Sequence, residues 1–412
     1  MSQPLIAIPK KIAILFAIFV VLYEFSTYIA NDMIMPGMLQ VIKEFNAPVS
    51  SVASSLTAYL LGGASLQLFI GPLSDRFGRR PVMLIGVVLF LLFTLLLVCS
   101  TSIEAFIVAR YFQGMGLCFT FVIGYAAIQE IFEEMEAVRL ISLMANVSLI
   151  APLLGPLLGA IVILYCNWRM IFILIGVLAF TALIGLWKTM PETIGATLSD
   201  GSVIPRVSLH PKIIWHNYRA LLTNKSFMIG AVAMGFAWLP LLAWIAESPV
   251  ILVNYAHLSI LEYGLCQIPI FISVISGNFI MRAWTHRYSL KQIVSWGSLI
   301  LLVALMLMAI VSLYNPGYIT LVSGLSLYGV GVGIIGGPIS RLVLFSTKVS
   351  KGAASAFMSI LSTIVMALGI EWVSAVYKAH NNTNFAIYCA AAGMLYFMLT
   401  CLIKGHWQNK NI

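Results

Sequence analysis

Two carboxylates and a guanidinium, all set within long apolar stretches, are the groups in this chain best suited to chemistry. Val21 to Pro36 reads VLYEFSTYIANDMIMP. As a helix it places Glu24, Thr27, Tyr28, Asn31 and Asp32 at i, i+3, i+4, i+7 and i+8, so all five share one face. Phe25, Ile29 and Met33 point the other way, towards lipid or neighbouring helices. Glu24 and Asp32 are then roughly 12 Å apart along the axis and about 80° apart in rotation. A carboxylate at the bilayer centre costs at least ~2.5–3.5 kcal/mol, so two on one stripe predict a polar interior. The chemistry open to such groups is reversible protonation and the attraction of cations; a helix with polar packing contacts is the plainer alternative. The third group is Arg110, in the run Arg110-Tyr-Phe-Gln113-Gly114-Met-Gly116. Its guanidinium keeps its charge under almost any condition and needs a carboxylate, carbonyls or water nearby. Gln113 lies one turn along, and the two glycines let another helix approach closely.

The elements that position these groups are helices in a membrane. The chain has 412 residues, of which 61% are hydrophobic and 9% charged, and a mean hydropathy of +1.01. That composition excludes a soluble protein. Runs long enough to cross a bilayer fall at about 12–36, 49–72, 81–100, 103–128, 138–164, 169–190, 226–252, 261–284, 290–312, 316–341, 352–376 and 382–403. They predict an all-α integral membrane protein of twelve transmembrane helices. The first run is too long for a cleavable signal peptide and has no small-residue cleavage site, so it is expected to remain. All lysines and arginines except Lys43, Arg169, Lys378 and the intramembrane Arg110 fall on the side of the N-terminus. This bias puts both termini in the cytoplasm. The net charge of +9 is thus topological, and no nucleic-acid partner is implied. Six scattered cysteines without a CxxC pair, and six histidines without ligand spacing, predict neither disulfides nor a metal site.

Six spans precede a polar stretch and six follow it. This divides the chain into an N-terminal bundle (1–190), a cytoplasmic linker (191–224) and a C-terminal bundle (225–412), with the site between the bundles. ETIGATLSDGS reads as flexible linker, and PKIIWHNYRALL as a short amphipathic helix on the membrane surface. Between the second and third spans stands Gly71-Pro-Leu-Ser-Asp75-Arg76-Phe-Gly78-Arg79-Arg80, which a degraded copy, GNFIMRAWTHR, repeats from Gly277. Asp75 can pair with basic groups or cap the next helix, and the glycines allow a tight turn. Glu130, nearest the membrane in the acidic run Glu130, Glu133, Glu134 and Glu136, is placed to pair with the Arg76–Arg80 segment; the rest of the run reads as a solvated face.

This loop resembles the hallmark G-x-L-x-D-R-x-G-R-K/R of the major facilitator superfamily, in which it implies a latch that holds one access state closed. Gly155-Pro156-x-x-Gly159, with Pro152 before it, resembles the antiporter signature of the superfamily's exporters; Ser142 and Ala151 stand where two further glycines are expected. YEFSTYIANDMIMPGM, GYAAIQE at 124–130, LMANVSLIAPLLGP at 143–156 and LPLLAWIAESP at 239–249 are similar to drug–proton antiporters of the multidrug facilitator type, over nearly the whole chain. The resemblance implies efflux of lipophilic cations and some neutral drugs, in exchange for protons, across the inner membrane. It implies Glu24, Asp32, Arg110 and Gln113 in proton coupling, and Tyr28, Asn31, Tyr125, Met144 and Leu239, with the two carboxylates, around the substrate. The proton gradient replaces any cofactor, the partners are drugs, protons and lipid, and a monomer suffices. A proton-coupled symporter of a small polar solute is the alternative; no catalytic constellation suggests an enzyme. In the second half, Trp238, Trp244 and Trp372 read as interfacial belt residues, and Glu247 and Glu371 as exit-path or surface groups. Gly329, Gly331, Gly333, Gly336, Gly337 and Pro338 predict a flexible, closely packed tenth span.

Overall fold

The computed structural model of the chain describes residues 4–199, 201–204, 211–347, 349, 351–377 and 381–408. Lys378 and linker residues 200 and 205–210 lie outside the described residues, as do the side chains of Glu134 and Ser142. The helices run in chain order as α1 Lys10–Glu44, α2 Ser51–Phe77, α3 Arg79–Val98, α4 Ile103–Ile131, α5 Glu134–Tyr165, α6 Arg169–Thr189 and α7 Pro211–Thr223. Then follow α8 Lys225–Tyr255, α9 Ile260–Trp284, α10 Leu290–Tyr314, α11 Tyr318–Leu344, α12 Lys351–Tyr377 and α13 Asn382–Gln408. Eleven of them are long and apolar enough to cross a membrane, and α5, with its apolar stretch Ile150–Tyr165, supplies the remaining expected span. Helix α7 is the linker's, so spans seven to twelve are α8 to α13.

Local chemistry sets the ends. Ser259 with Glu262, and Ser289 with Gln292, form reciprocal capping boxes that start α9 and α10. Within α1 the regular helix stops at Asp32, passes through a tight turn at Met35–Gly37, and resumes. Pro36 explains the break, because it lacks an N–H and crowds the preceding turn. In α4 the segment Thr120–Gly124 is wound as a π-helix, directly before Tyr125. Such insertions recur at functional sites.

In the first six helices, α1 packs on α5 and α6, α2 on α4, and α3 on α6. In the second set, α9 and α10 pack on α11, and α8 and α10 on α13. The same device closes both sets. A side chain at Gly62 of α2 or Gly114 of α4 would strike the other helix's backbone carbonyl, and so would one at Gly277 of α9 or Gly333 of α11. Only glycine permits such approach. Across the two sets, α5 meets α9 and α2 meets α12, and Ser54 of α2 donates to Glu371 of α12 at 3.3 Å.

Several expectations change. The second span stays helical through Gly71, Pro72 and Asp75 to Phe77, so the expected loop shrinks to Gly78, at φ 108°. Gly71 is therefore not a turn residue, and a Cβ there would meet Val122 at an ordinary 3.5 Å. The start of the linker is ordered: Ile6 bridges Leu198, Thr197 bridges Val203, and Leu5 donates to the Ile131 carbonyl at 2.8 Å. In α7, Tyr218 donates to the Leu68 carbonyl of α2 at 3.1 Å and stacks on Phe357 of α12, tying the linker to both sets. Trp244 is fully buried and donates to Gln267 at 2.7 Å, so it is no belt residue, whereas Trp372 is 66% exposed. Glu247 is only 4% exposed, which removes it from the surface.

Candidate functional site

Between the two sets of helices lies a cavity of about 270 Å³. Its polar wall is Tyr28, Asn31 and Asp32 of α1 with Tyr59 of α2. Its apolar wall includes Pro152 of α5, Trp238, Leu241, Leu242 and Ile245 of α8, and Phe271 and Val274 of α9. Trp238 thus moves from the expected belt to the cavity. Of the residues expected around a substrate, Tyr28, Asn31 and Asp32 line this cavity. Glu24, Tyr125, Met144 and Leu239 do not; Met144 and Leu239 are buried in the packed core.

Asp32 and Arg110 are neighbours in a network without touching as an ion pair. Arg110 is fully buried. Its Nη1 donates to the Ala30 carbonyl at 3.1 Å and to Gln113 Oε1 at 2.6 Å, its Nη2 to Asn31 Oδ1 at 3.2 Å, and its Nε to Ser55 at 3.3 Å. Its plane lies 4.3 Å from the Tyr59 ring centroid. Asn31 in turn donates to Asp32 Oδ1 at 3.2 Å, and Gln113 donates to Thr94 at 2.9 Å. The charge is held by a carbonyl and neutral side chains, and the Asn31 amide stands between guanidinium and carboxylate. A cation entering the cavity therefore meets an acid that no arginine neutralises directly.

Glu24 sits two turns back along α1 and is 1% exposed. It accepts a hydrogen bond from Tyr125 at 3.0 Å, while its Oε2 has no partner. Edge-to-face rings, Tyr28 on Phe121 and Phe121 on Tyr125, lead from the cavity wall to it. Gly155 and Gly159 of α5 clasp α1 beside Asp32. A Cβ at Gly155 would lie 2.7 Å from that of Asp32, and one at Gly159 would collide with the Met33 carbonyl. Small residues here let α5 touch the backbone that carries the acid.

A polar, acid-bearing wall facing an apolar one between two six-helix sets is the arrangement of a transport site. The sequence profile of the Major Facilitator Superfamily matches residues 20–370. The chain belongs to this superfamily. "Multidrug transporter MdfA" of Yersinia pestis (bv. Antiqua, strain Angola) is 45% identical over 94% of this chain and 93% of its own length. The protein of that name in Escherichia coli O6:H1 is 42% identical over 97% and 96%. Among solved structures, the xylose transporter XylE of E. coli, partially occluded and inward open, superposes with a TM-score of 0.75 at 15% identity, covering 98% of this chain and 100% of that one. At that identity the likeness is one of fold.

The superfamily's hallmark residues gather at the end of the molecule that carries the linker. Arg79 pairs with Asp75 and, at 2.9 Å, with Glu130, and donates to Ser74 at 2.6 Å. Arg80 donates to the Trp187 carbonyl at 2.7 Å, and Arg76 lies over Phe77. Sequence reasoning missed Glu192. Its carboxylate accepts the backbone N–H groups of Arg79 at 2.9 Å and Arg80 at 3.2 Å, capping α3. The positive φ at Gly78 and the Glu192 oxygens pressed against it leave no room for a side chain there. The only signal was an acid directly after Pro191 at the end of a span, within a stretch that reads as linker.

Proposed function

We propose that this protein is a proton-driven multidrug efflux antiporter, exporting lipophilic cations and some neutral compounds by alternating access. Asp32 is the observation that carries this reading: a buried carboxyl in the wall of a largely apolar cavity, with Arg110 kept one amide away. A proton and a cationic drug compete for that acid, so each weakens the binding of the other by the same factor. Glu24, with its Tyr125 bond, serves as the second protonatable group, and Asp32 as the principal carrier. Arg110 and Gln113 tune Asp32 through Asn31. Neutral drugs use the apolar wall alone. Met144 and Leu239 would reach a substrate only if the packed core that buries them opened, and the Gly155–Gly159 contact holds α1 in place. The segment Gly71–Arg80 with Glu130 latches one access state. The monomer spans the inner membrane with both termini in the cytoplasm, as bundles 1–190 and 225–412 joined by 191–224, and needs no cofactor beyond the proton gradient. A small polar solute, as a symporter would carry, finds few partners on the α8–α9 wall.

Inside-out vesicles with an acidified lumen and a pH-sensitive dye test this. Adding tetraphenylphosphonium should release protons in the wild type and not in Asp32→Asn. Wild-type vesicles that release none would refute antiport.

A further inference from the structure

Helix α11 fixes both the backbone before Trp238 and one edge of its indole. The Ala237 carbonyl accepts the Tyr328 hydroxyl, and the indole lies against Gly336, where a Cβ would sit 3.4 Å from Cζ2. Pro240, two residues on, interrupts the α8 hydrogen bonding at this level. Other buried or clustered tryptophans are engaged edge-to-face by the protein's own rings: Trp168 with Phe106 and Phe172, Trp244 with Phe385, Trp284 with Trp296. None of the ring–ring contacts found among the described residues involves Trp238, which borders the cavity instead. Asp32 is in the opposite wall, on the other half of the molecule.

We propose that Trp238 is the stacking platform of this cavity and the residue that selects planar aromatic cations from the lipophilic compounds the site admits. This rests on the transport reading above and adds a division of labour to it. Asp32 takes the charge, and the indole face takes the flat ring system, since tryptophan offers the strongest ring face to a cation or an aromatic plane. A planar cation thereby touches both halves at once. A cation without rings gains from Asp32 and little from the indole.

The test compares ethidium, a planar polycyclic cation, with tetrabutylammonium, which has no ring. In energised vesicles, Trp238→Leu should raise the half-saturating ethidium concentration about tenfold and change that for tetrabutylammonium less than about twofold. Trp238→Phe should recover most of the ethidium affinity. Retained tetrabutylammonium transport shows that the variants fold. In the purified protein, ethidium should quench indole emission saturably, with a smaller amplitude in Trp238→Phe. Equal losses for both cations, or no loss for either, would overturn the platform while leaving antiport intact. If wild-type vesicles move neither cation, the antiport reading falls, and the quench amplitude alone then decides for or against the platform.

Discussion

The two walls of the cavity solve different problems. On the N-terminal side, Asp32, Asn31, Arg110, Gln113 and Thr94 form one hydrogen-bonded line, with Tyr59 against the guanidinium. On the C-terminal side, Leu241, Leu242, Ile245, Phe271 and Val274 present surface without charge. A buried polar line has few good arrangements, because every unmade bond is costly. An apolar wall accepts many shapes at small differences in energy. In the transport mechanism proposed above, one half would fix the coupling and the other would leave the choice of cargo broad.

The sharpest way to break this comparison is to swap damage between the walls. Asp32→Asn should abolish proton-coupled export of cationic and neutral drugs alike, because the principal proton carrier is lost and Glu24 lies outside the cavity wall. Phe271→Ala should alter apparent affinities only severalfold, drug by drug, with coupling intact, as expected for partial loss of apolar contact. Drug-induced proton release in vesicles reads both. If Phe271→Ala uncoupled transport, the division would be wrong.

The next largest effect is expected where the walls' scaffolding meets the acid. Gly159→Val drives a side chain into the Met33 carbonyl and should cost ~1–3 kcal/mol or more in packing. A lower thermal midpoint in detergent and loss of transport should follow together. Gly71→Ala, at the start of the latch segment in the same half, has room for the added methyl and should leave the thermal midpoint unchanged. Arg110→Lys comes third. Lysine has three donors on a flexible stem and cannot reproduce a planar guanidinium serving four acceptors and a ring. A maximal rate lower by about tenfold or more is expected, since hydrogen bonds to charged groups are worth ~1.5–3 kcal/mol each. Binding of tetraphenylphosphonium should change far less, because Asp32 remains.

What the sequence made legible follows from periodicity and from local motifs. The Glu24–Asp32 stripe needs only the helical repeat, and the spans need only length and hydropathy, so both appear where expected. Trp238 and Trp244 carry no such mark. Hydropathy does not separate a tryptophan at the membrane surface from one turned inward at depth; the contacts with Tyr328, Gly336 and Gln267 decide it, and all come from other helices or from further along the chain. The extent of α2 was hidden for a related reason. Gly71 and Pro72 read as loop residues, yet the helix carries both on to Phe77.

Glu192 is the residue where this difference between local and tertiary information is most easily tested. It lies 113 residues from the N–H group it caps at Arg79, and beside it Thr193 donates to Glu130. The acid therefore joins three pieces: the start of α3, the end of α4 through its neighbour, and the ordered first part of the linker. Negative charge at a helix N-terminus is favourable, and two backbone donors would otherwise face the α2–α3 junction unsatisfied. Glu192→Gln keeps the shape and one acceptor oxygen, but turns an NH₂ group towards the second donor. The expected cost is ~1–3 kcal/mol. Amide hydrogen exchange should rise at Arg79 and Arg80 and through residues 193–199, with transport falling only severalfold, because Arg79 keeps Asp75 and Glu130. Glu130→Gln should instead weaken the Arg79 pair and spare the α3 cap. Unchanged exchange at Arg79 and Arg80 in Glu192→Gln would mean that the cap carries no stability, and that the ion pairs hold this end alone.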